Sequence, residues 1–200
     1  MTRWQVAASS GLAAVVLALG AGDPATAQTA KKAKTKAKDA LPALNAAVLE
    51  FARKNLGEQV GDGECWTLAN DALVAAGGKS SPAYRDHPAK GDSVWGVGVY
   101  GVTVKDGKAT EDATDGKLVP LPGDIVQFRD AKFAGARAGG GTYSMTAPHH
   151  TAVVAAASPD GKTLMVLHQN WAGKRTVGEA TIKLNDLKEG WVRIYRPQPR

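Results

Sequence analysis

The chain has one cysteine in 200 residues, Cys65, set in Val60-Gly61-Asp62-Gly63-Glu64-Cys65-Trp66. A lone cysteine closes no internal disulfide, so it is an inert core thiol, an intermolecular partner or a nucleophile. Three of the four histidines (His149, His150 and His168) lie downstream in segments with strand-like patterning. A thiol at a helix start and a distant imidazole outline Cys–His hydrolysis, in which the imidazole takes and returns the thiol proton. The segment His150-Thr151-Ala152-Val153-Val154 offers His150 as that base. In Leu167-His168-Gln169-Asn170-Trp171, strand alternation puts His168 and Asn170 on one face and Gln169 on the other. Either His168 or Asn170 can then accept the imidazole N–H and hold its tautomer. Trp66, Tyr143 and Trp171 are candidates to line a substrate groove, whereas Trp95 and Trp191 read as core.

Each of these residues has an ordinary alternative. A cysteine on an apolar helix face is most often a small core residue, and a single strand histidine is most often structural. It is their combination, in this order, that favours catalysis. Zinc is the rival use of Cys65, His149, His150 and His168. It needs three or four converging ligands, and adjacent strand residues such as His149 and His150 point to opposite faces. No metal and no other cofactor are expected.

The elements that must position these groups follow from periodicity. Leu44, Val48 and Phe51 recur at helical spacing within 42–56, with Gly57 as a stop. A second helix is expected over 63–76, with Asp62 as N-cap and Gly77-Gly78 ending it. Cys65, Leu68, Ala69, Ala72, Leu73 and Ala76 share its inner face. A helix N-terminus stabilises negative charge, which predicts a lowered thiol pKa at Cys65. Beyond residue 93 the pattern turns β-like, with strands expected over 125–129, 150–157, 163–169, 175–184 and 191–196. Turns are signalled by Asp106-Gly107, Leu121-Pro122-Gly123-Asp124 and Ser158-Pro159-Asp160-Gly161. Helices first and a meandering antiparallel sheet after them make an α+β fold. Residues 130–148 show no periodicity, contain Gly139-Gly140-Gly141 and lead straight to His149; they are expected to form an irregular lid over the groove.

The charge is unevenly placed. The formal +6 is concentrated in residues 31–39, where five lysines (Lys31, Lys32, Lys34, Lys36 and Lys38) stand against Asp39 and leave +4. Arg3 offsets Asp23, and residues 40–200 carry +2. Residues 1–27 have the form of a secretory signal: Arg3, an apolar run over 6–20, and Ala25-Thr26-Ala27 as a cleavage pattern after Ala27. Residues 28–40 form a basic linker suited to tethering on an anionic surface, and without aromatics it is not expected to bind nucleic acid. Residues 41–200 form the globular domain. The expected location is secreted or periplasmic.

Four segments in order are Gly-Glu-Cys-Trp (63–66), Leu-Pro-Gly-Asp-Ile-Val-Gln-Phe (121–128), His-Thr-Ala-Val-Val (150–154) and His-Gln-Asn-Trp (168–171). Together they resemble the CHAP and NlpC/P60 cell-wall amidases and peptidases over residues 58–172. The resemblance implies a papain-like fold with Cys65 as nucleophile and His150 as base. His168 stands where CHAP enzymes typically carry Glu, Asn170 matches, and NlpC/P60 enzymes often have His as third member. Papain-like peptidases place a Gln six residues before the nucleophile to help bind the oxyanion, and Gln59 holds that offset. In its double histidine and its 130–148 segment the chain is similar to the cysteine-proteinase-fold domain at the C-terminus of some fungal actin-patch proteins. The function this implies is amide hydrolysis, with peptidoglycan or another peptide-containing envelope polymer as partner. Two other functions share the same residues: a catalytically inactive papain-fold binding module, and a transglutaminase-like acyl transferase.

Overall fold

The computed structural model describes residues 41–84, 92–112 and 118–200. The readings made above for 1–27 and 28–40, including Lys31 to Lys38, lie outside these residues. Residues 41–200 form one compact unit.

Helix α1 (Ala43–Lys54) follows Pro42 and buries Val48, Leu49 and Ala52; Arg53 and Lys54 occupy the last turn, where cations suit the helix dipole. Helix α2 (Cys65–Ala75) buries Leu68, Ala69, Ala72 and Leu73, as the spacing predicts. It ends where the two glycines require. Gly77 takes φ 79°, its N–H bonds to Val74 O, and the Gly78 N–H bonds to Leu73 O, the paired bonds of a Schellman stop.

Among the described residues, seven strands follow: β1 (Val97–Lys105), β2 (Lys108–Asp112), β3 (Ile125–Ala136), β4 (Thr142–Ala157), β5 (Thr163–His168), β6 (Gly178–Lys183) and β7 (Leu187–Arg196). They form one sheet in the order β2-β1-β7-β3-β4-β5-β6, with each neighbouring pair antiparallel. The fold is α+β. Asp106 and Gly107 both take positive φ in the β1–β2 hairpin, which the right-handed strand twist favours.

Both faces of the sheet are dry. One packs on α1 and α2 through Ile125, Val153, Leu167 and Tyr195. The other joins Val102, Val126, Phe128, Val154, Leu164 and Ile182 without any residue of α1 or α2. A face that neither α-helix covers is buried because the sheet curls on itself, with Leu184 of the turn before β7 joining the cluster. Lys162, in the β4–β5 turn, reaches across to Tyr100 Oη at 2.8 Å and Glu111 Oε1 at 2.6 Å near the far edge.

The 130–148 segment is a correction. It is not an irregular lid. Past Asp130 (φ 49°), where a bulge shifts the register of β3 against β7, β3 and β4 continue in unbroken register as a paired arm from Ala131↔Ala147 to Ala136↔Thr142. Gly140 and Gly141 supply the left-handed conformations of its turn. The bulge breaks the period-two pattern that would have announced the strands, and the small residues beyond it carry little strand signal.

Candidate active site

The thiol sits where a loop, a helix and a strand meet. Gly61 (φ 54°) and Gly63 (φ 82°) turn the chain into α2. Asp62 is not the N-cap that was expected; Glu64 is, and it makes no side-chain cap bond. Asp62 acts from two residues further out. Its Oδ1 accepts the Glu64 N–H at 3.0 Å and the Thr67 hydroxyl at 2.6 Å. Those bonds, Thr67 first, hold its carboxyl below the usual range.

Cys65 is therefore the first residue of α2, and it is half-buried. The backbone N–H groups of Thr151, Trp66 and Cys65 itself favour the thiolate. Burial outweighs them, the Glu64 charge adds to it, and the thiol is pushed up. This overturns the expected depression. A helix terminus is worth a fraction of a kcal/mol to about 2 kcal/mol, while desolvation of a charge is worth several.

The strand that delivers Thr151 to the sulfur also carries both neighbouring histidines. Ala152 and Val154 face the interior of the curled sheet, Val153 and Ala155 face the helices, and alternation puts His150 with the first pair and His149 with the second. His149 is exposed, opposite Arg129 in the register. His150 is buried, with ring centroids at 6.1 Å to Phe128, 4.6 Å to Trp171 and 5.4 Å to His168. His168 lies 4.5 Å from Trp171. In this dry cluster His150 Nε2 and His168 Nδ1 have no hydrogen-bond partner. Desolvation, then the charges of His168 and His149, pull His150 down to about 3; desolvation pulls His168 down to about 4. Both rings are neutral at ordinary pH.

Asn170 does not share the face of His168. Strand β5 ends at His168, Asn170 takes φ 56°, and its Nδ2 donates to Glu64 Oε2 at 2.6 Å. Gln59 is exposed and donates to Gly61 O at 3.1 Å, its Cδ close over Gly63. Trp66 is half-exposed beside the thiol, 5.9 Å from the buried Trp95 ring. Beneath them, Trp95 Nε1 and the Thr151 hydroxyl both donate to Gln127 Oε1, at 2.8 and 2.9 Å. Tyr143 is a correction: it sits on the β3–β4 arm with its hydroxyl on Asp186 at 2.7 Å. Seven strand positions separate it from His150, roughly 20 Å. Among the described residues no three His, Cys, Asp or Glu side chains gather as a metal site.

Sequence patterning gives no role to Gln127, Thr151 or Gln169, although Gln169 was expected on the face opposite His168. Their work is done by side-chain amides, a hydroxyl and a backbone N–H across long separations, and no local pattern marks that.

A thiol at the start of a helix, lodged against a histidine-bearing strand of a curled antiparallel sheet, defines the cysteine-proteinase-fold class. The motif order and the double histidine narrow that class. The chain belongs to the AIM3/BBC1 cysteine proteinase-fold domain family, whose model matches residues 27–200. It is 32% identical over 154 residues to Altered inheritance of mitochondria protein 3 of Debaryomyces hansenii, covering 76% of this chain and 16% of that protein. It is 28% identical over 181 residues to an SH3 domain-containing protein of Schizosaccharomyces pombe, covering 87% of this chain and 10% of that one. The chain thus spans a small part of the length of these relatives. Among solved structures it is similar to Ly7917, at 22% identity and a TM-score of 0.39, covering 76% of this chain and 62% of the other. It is similar also to Ly7917 with the hydrolyzing product of MDP, at 20% identity and a TM-score of 0.40 over the same shares.

Proposed function

We propose that the domain is a Cys–His hydrolase of amide bonds, with Cys65 as nucleophile and His150 as base. The observation that carries this reading is the seat of the thiol: the first residue of α2, held at the N–H of Thr151, the residue that follows His150 in strand β4. At rest strand alternation turns the His150 ring to the sheet face away from α2, so in this scheme it swings toward Cys65 to take the thiol proton as the sulfur attacks the carbonyl carbon. The oxyanion forms beside the Cys65 N–H, with the Gln59 amide as second donor. The C–N bond then breaks, and the leaving amine takes the proton from His150. Water hydrolyses the thioester, returning acid product and thiol. With a raised thiol and a depressed imidazole, proton transfer accompanies attack and no resting ion pair is needed. His168 is the group that steadies His150, because the Asn170 amide is engaged with Glu64.

The proposed substrate is a peptide amide of an envelope polymer such as peptidoglycan, reached after export through residues 1–27 and held near anionic polymer by Lys31, Lys32, Lys34, Lys36 and Lys38. Trp66 and Trp171 offer aromatic surface at the site. Cys65→Ala is expected to abolish release of new amine and carboxyl ends from muropeptides or whole sacculi, with circular dichroism unchanged. Retained hydrolysis would reject the assignment.

A second reading is favoured by one observation, the upward push on the thiol. In that reading the domain is a catalytically silent papain-fold module that binds the polymer. It predicts no thioester on Cys65 by mass spectrometry after incubation with peptide amides, and polymer binding that survives Cys65→Ala.

A further inference from the structure

The strand end that bears His168 also grips the loop that bears the thiol. Gln169 is fully buried. Its Oε1 accepts the Val60 N–H at 3.1 Å, and its Nε2 donates to Val60 O at 2.9 Å and to Glu64 O at 2.7 Å. The first two bonds imitate the backbone of a paired strand. The third lands on the N-cap of α2, one peptide bond before Cys65. That same Glu64 carbonyl receives the N–H groups of Thr67 and Leu68, which begin the helix. One amide is thus tied to both ends of the 60–64 turn.

The turn has little stiffness of its own, because Gly61 and Gly63 occupy it. A second layer lies outside: Asn170 on Glu64, Arg175 Nη2 on Glu64 Oε1 at 2.8 Å, and Arg175 Nη1 on Asp62 O at 2.9 Å. These outer groups are exposed or partly so, and solvent weakens them. Gln169 makes its bonds in a dry interior, where loss of a partner leaves polar groups unsatisfied. Its neighbour His168 turns the other way, into His150. Two consecutive residues therefore hold the two halves of the site.

We propose that Gln169 is a positioning residue: it ties the start of α2, and with it the Cys65 sulfur, to the strand that presents His168 to His150. The consequence for turnover rests on the hydrolase reading; the consequence for the thiol does not.

The test is Gln169→Leu, which keeps bulk and removes every donor and acceptor. Iodoacetamide labelling of Cys65 against pH is expected to show an apparent pKa displaced downward by at least about half a unit, toward the ordinary thiol value near 8.5, as the sulfur leaves its buried seat. Hydrolysis by the same variant is expected to fall about tenfold or more in kcat with KM within about twofold. A thiol that grows more reactive while turnover falls is the signature of lost positioning. A folded variant with the wild-type labelling profile overturns the proposal, whatever its melting temperature. Should Gln169→Leu not fold, Gln169→Glu carries the test. With its introduced carboxyl protonated it accepts from Val60 and donates to only one of the two carbonyls, and once ionised it donates to neither. Labelling therefore departs from the wild type increasingly as the carboxyl ionises, by about fivefold or more. A rate that tracks the wild type throughout overturns the proposal. Labelling needs no substrate, so its outcome is separate from that of the Cys65→Ala hydrolysis assay.

Discussion

His150 and His168 each bury a ring nitrogen that nothing in the protein satisfies. Their rings are held near 3 and 4 by removal from water, against about 6.5 for an exposed imidazole. The sign of the effect on stability follows from which state binds protons first. As pH falls below 6.5 the unfolded chain is protonated while the folded rings stay neutral. The stability contributed by neutral burial is complete above about pH 6.5 and is lost as pH falls toward 4 and then 3. Between pH 7 and pH 5 the loss is about 2 kcal/mol per ring, about 4 kcal/mol for the two. Urea unfolding at these two pH values checks it. His168→Gln should remove about half of the pH dependence; an unaltered slope would mean that the ring is hydrated in the folded protein.

At the scale of elements, the contact that seats α1 on the sheet is made at the turn before β3. Asn45 Nδ2 donates to Pro122 O at 3.0 Å and to Asp124 Oδ1 at 2.7 Å. Gly123, at φ 82°, is pressed against the same helix: a Cβ there would stand 2.0 Å from the Asn45 backbone oxygen. Gly123→Ala must therefore displace α1 as well as strain the turn, and we expect a loss of about 2–4 kcal/mol in chemical denaturation. A loss below about 0.5 kcal/mol would show that α1 yields freely. This turn was legible in Leu121-Pro122-Gly123-Asp124 because its chemistry is local. The partner of Gly123 was not, since Asn45 lies 78 residues away by position number. The β3–β4 arm was hidden for a related reason. Its strands are paired by register with each other, while the bulge of β3 against β7 at Asp130 and a run of small residues remove the period-two alternation.

Across the whole domain, one buried ion pair joins the last strand to the first turn of the sheet core. Arg196 Nη2 meets Asp124 Oδ2 at 3.0 Å, and the carboxylate is fully enclosed. Burial pushes Asp124 up; Arg196, the Leu121 N–H and Asn45 oppose it. Arg196→Met leaves the carboxylate without its charge partner and is expected to cost about 3–5 kcal/mol at pH 7. A raised carboxyl makes ionisation the destabilising event, so the cost should shrink as pH is lowered and Asp124 takes a proton. Denaturation at pH 7 and pH 5 checks both parts. A cost that does not change with pH would place the effect in packing of the arginine stem.

The residues themselves determined the order of elements, both helices with their stops, and a thiol at a helix start followed by histidines on strands. These are written in short-range periodicity, glycine conformations and turn chemistry, which act over a few residues. Tertiary structure decided the rest. Burial, which no spacing records, turned the thiol upward and both rings neutral. The end of β5 at His168 sent Asn170 to Glu64 and Gln169 into the turn before Cys65. Tyr143 went out along an arm that only strand pairing could reveal. Where chemistry depended on what a side chain meets far along the chain, solvent exclusion and long-range hydrogen bonds set the outcome, and both exist only once the chain has folded.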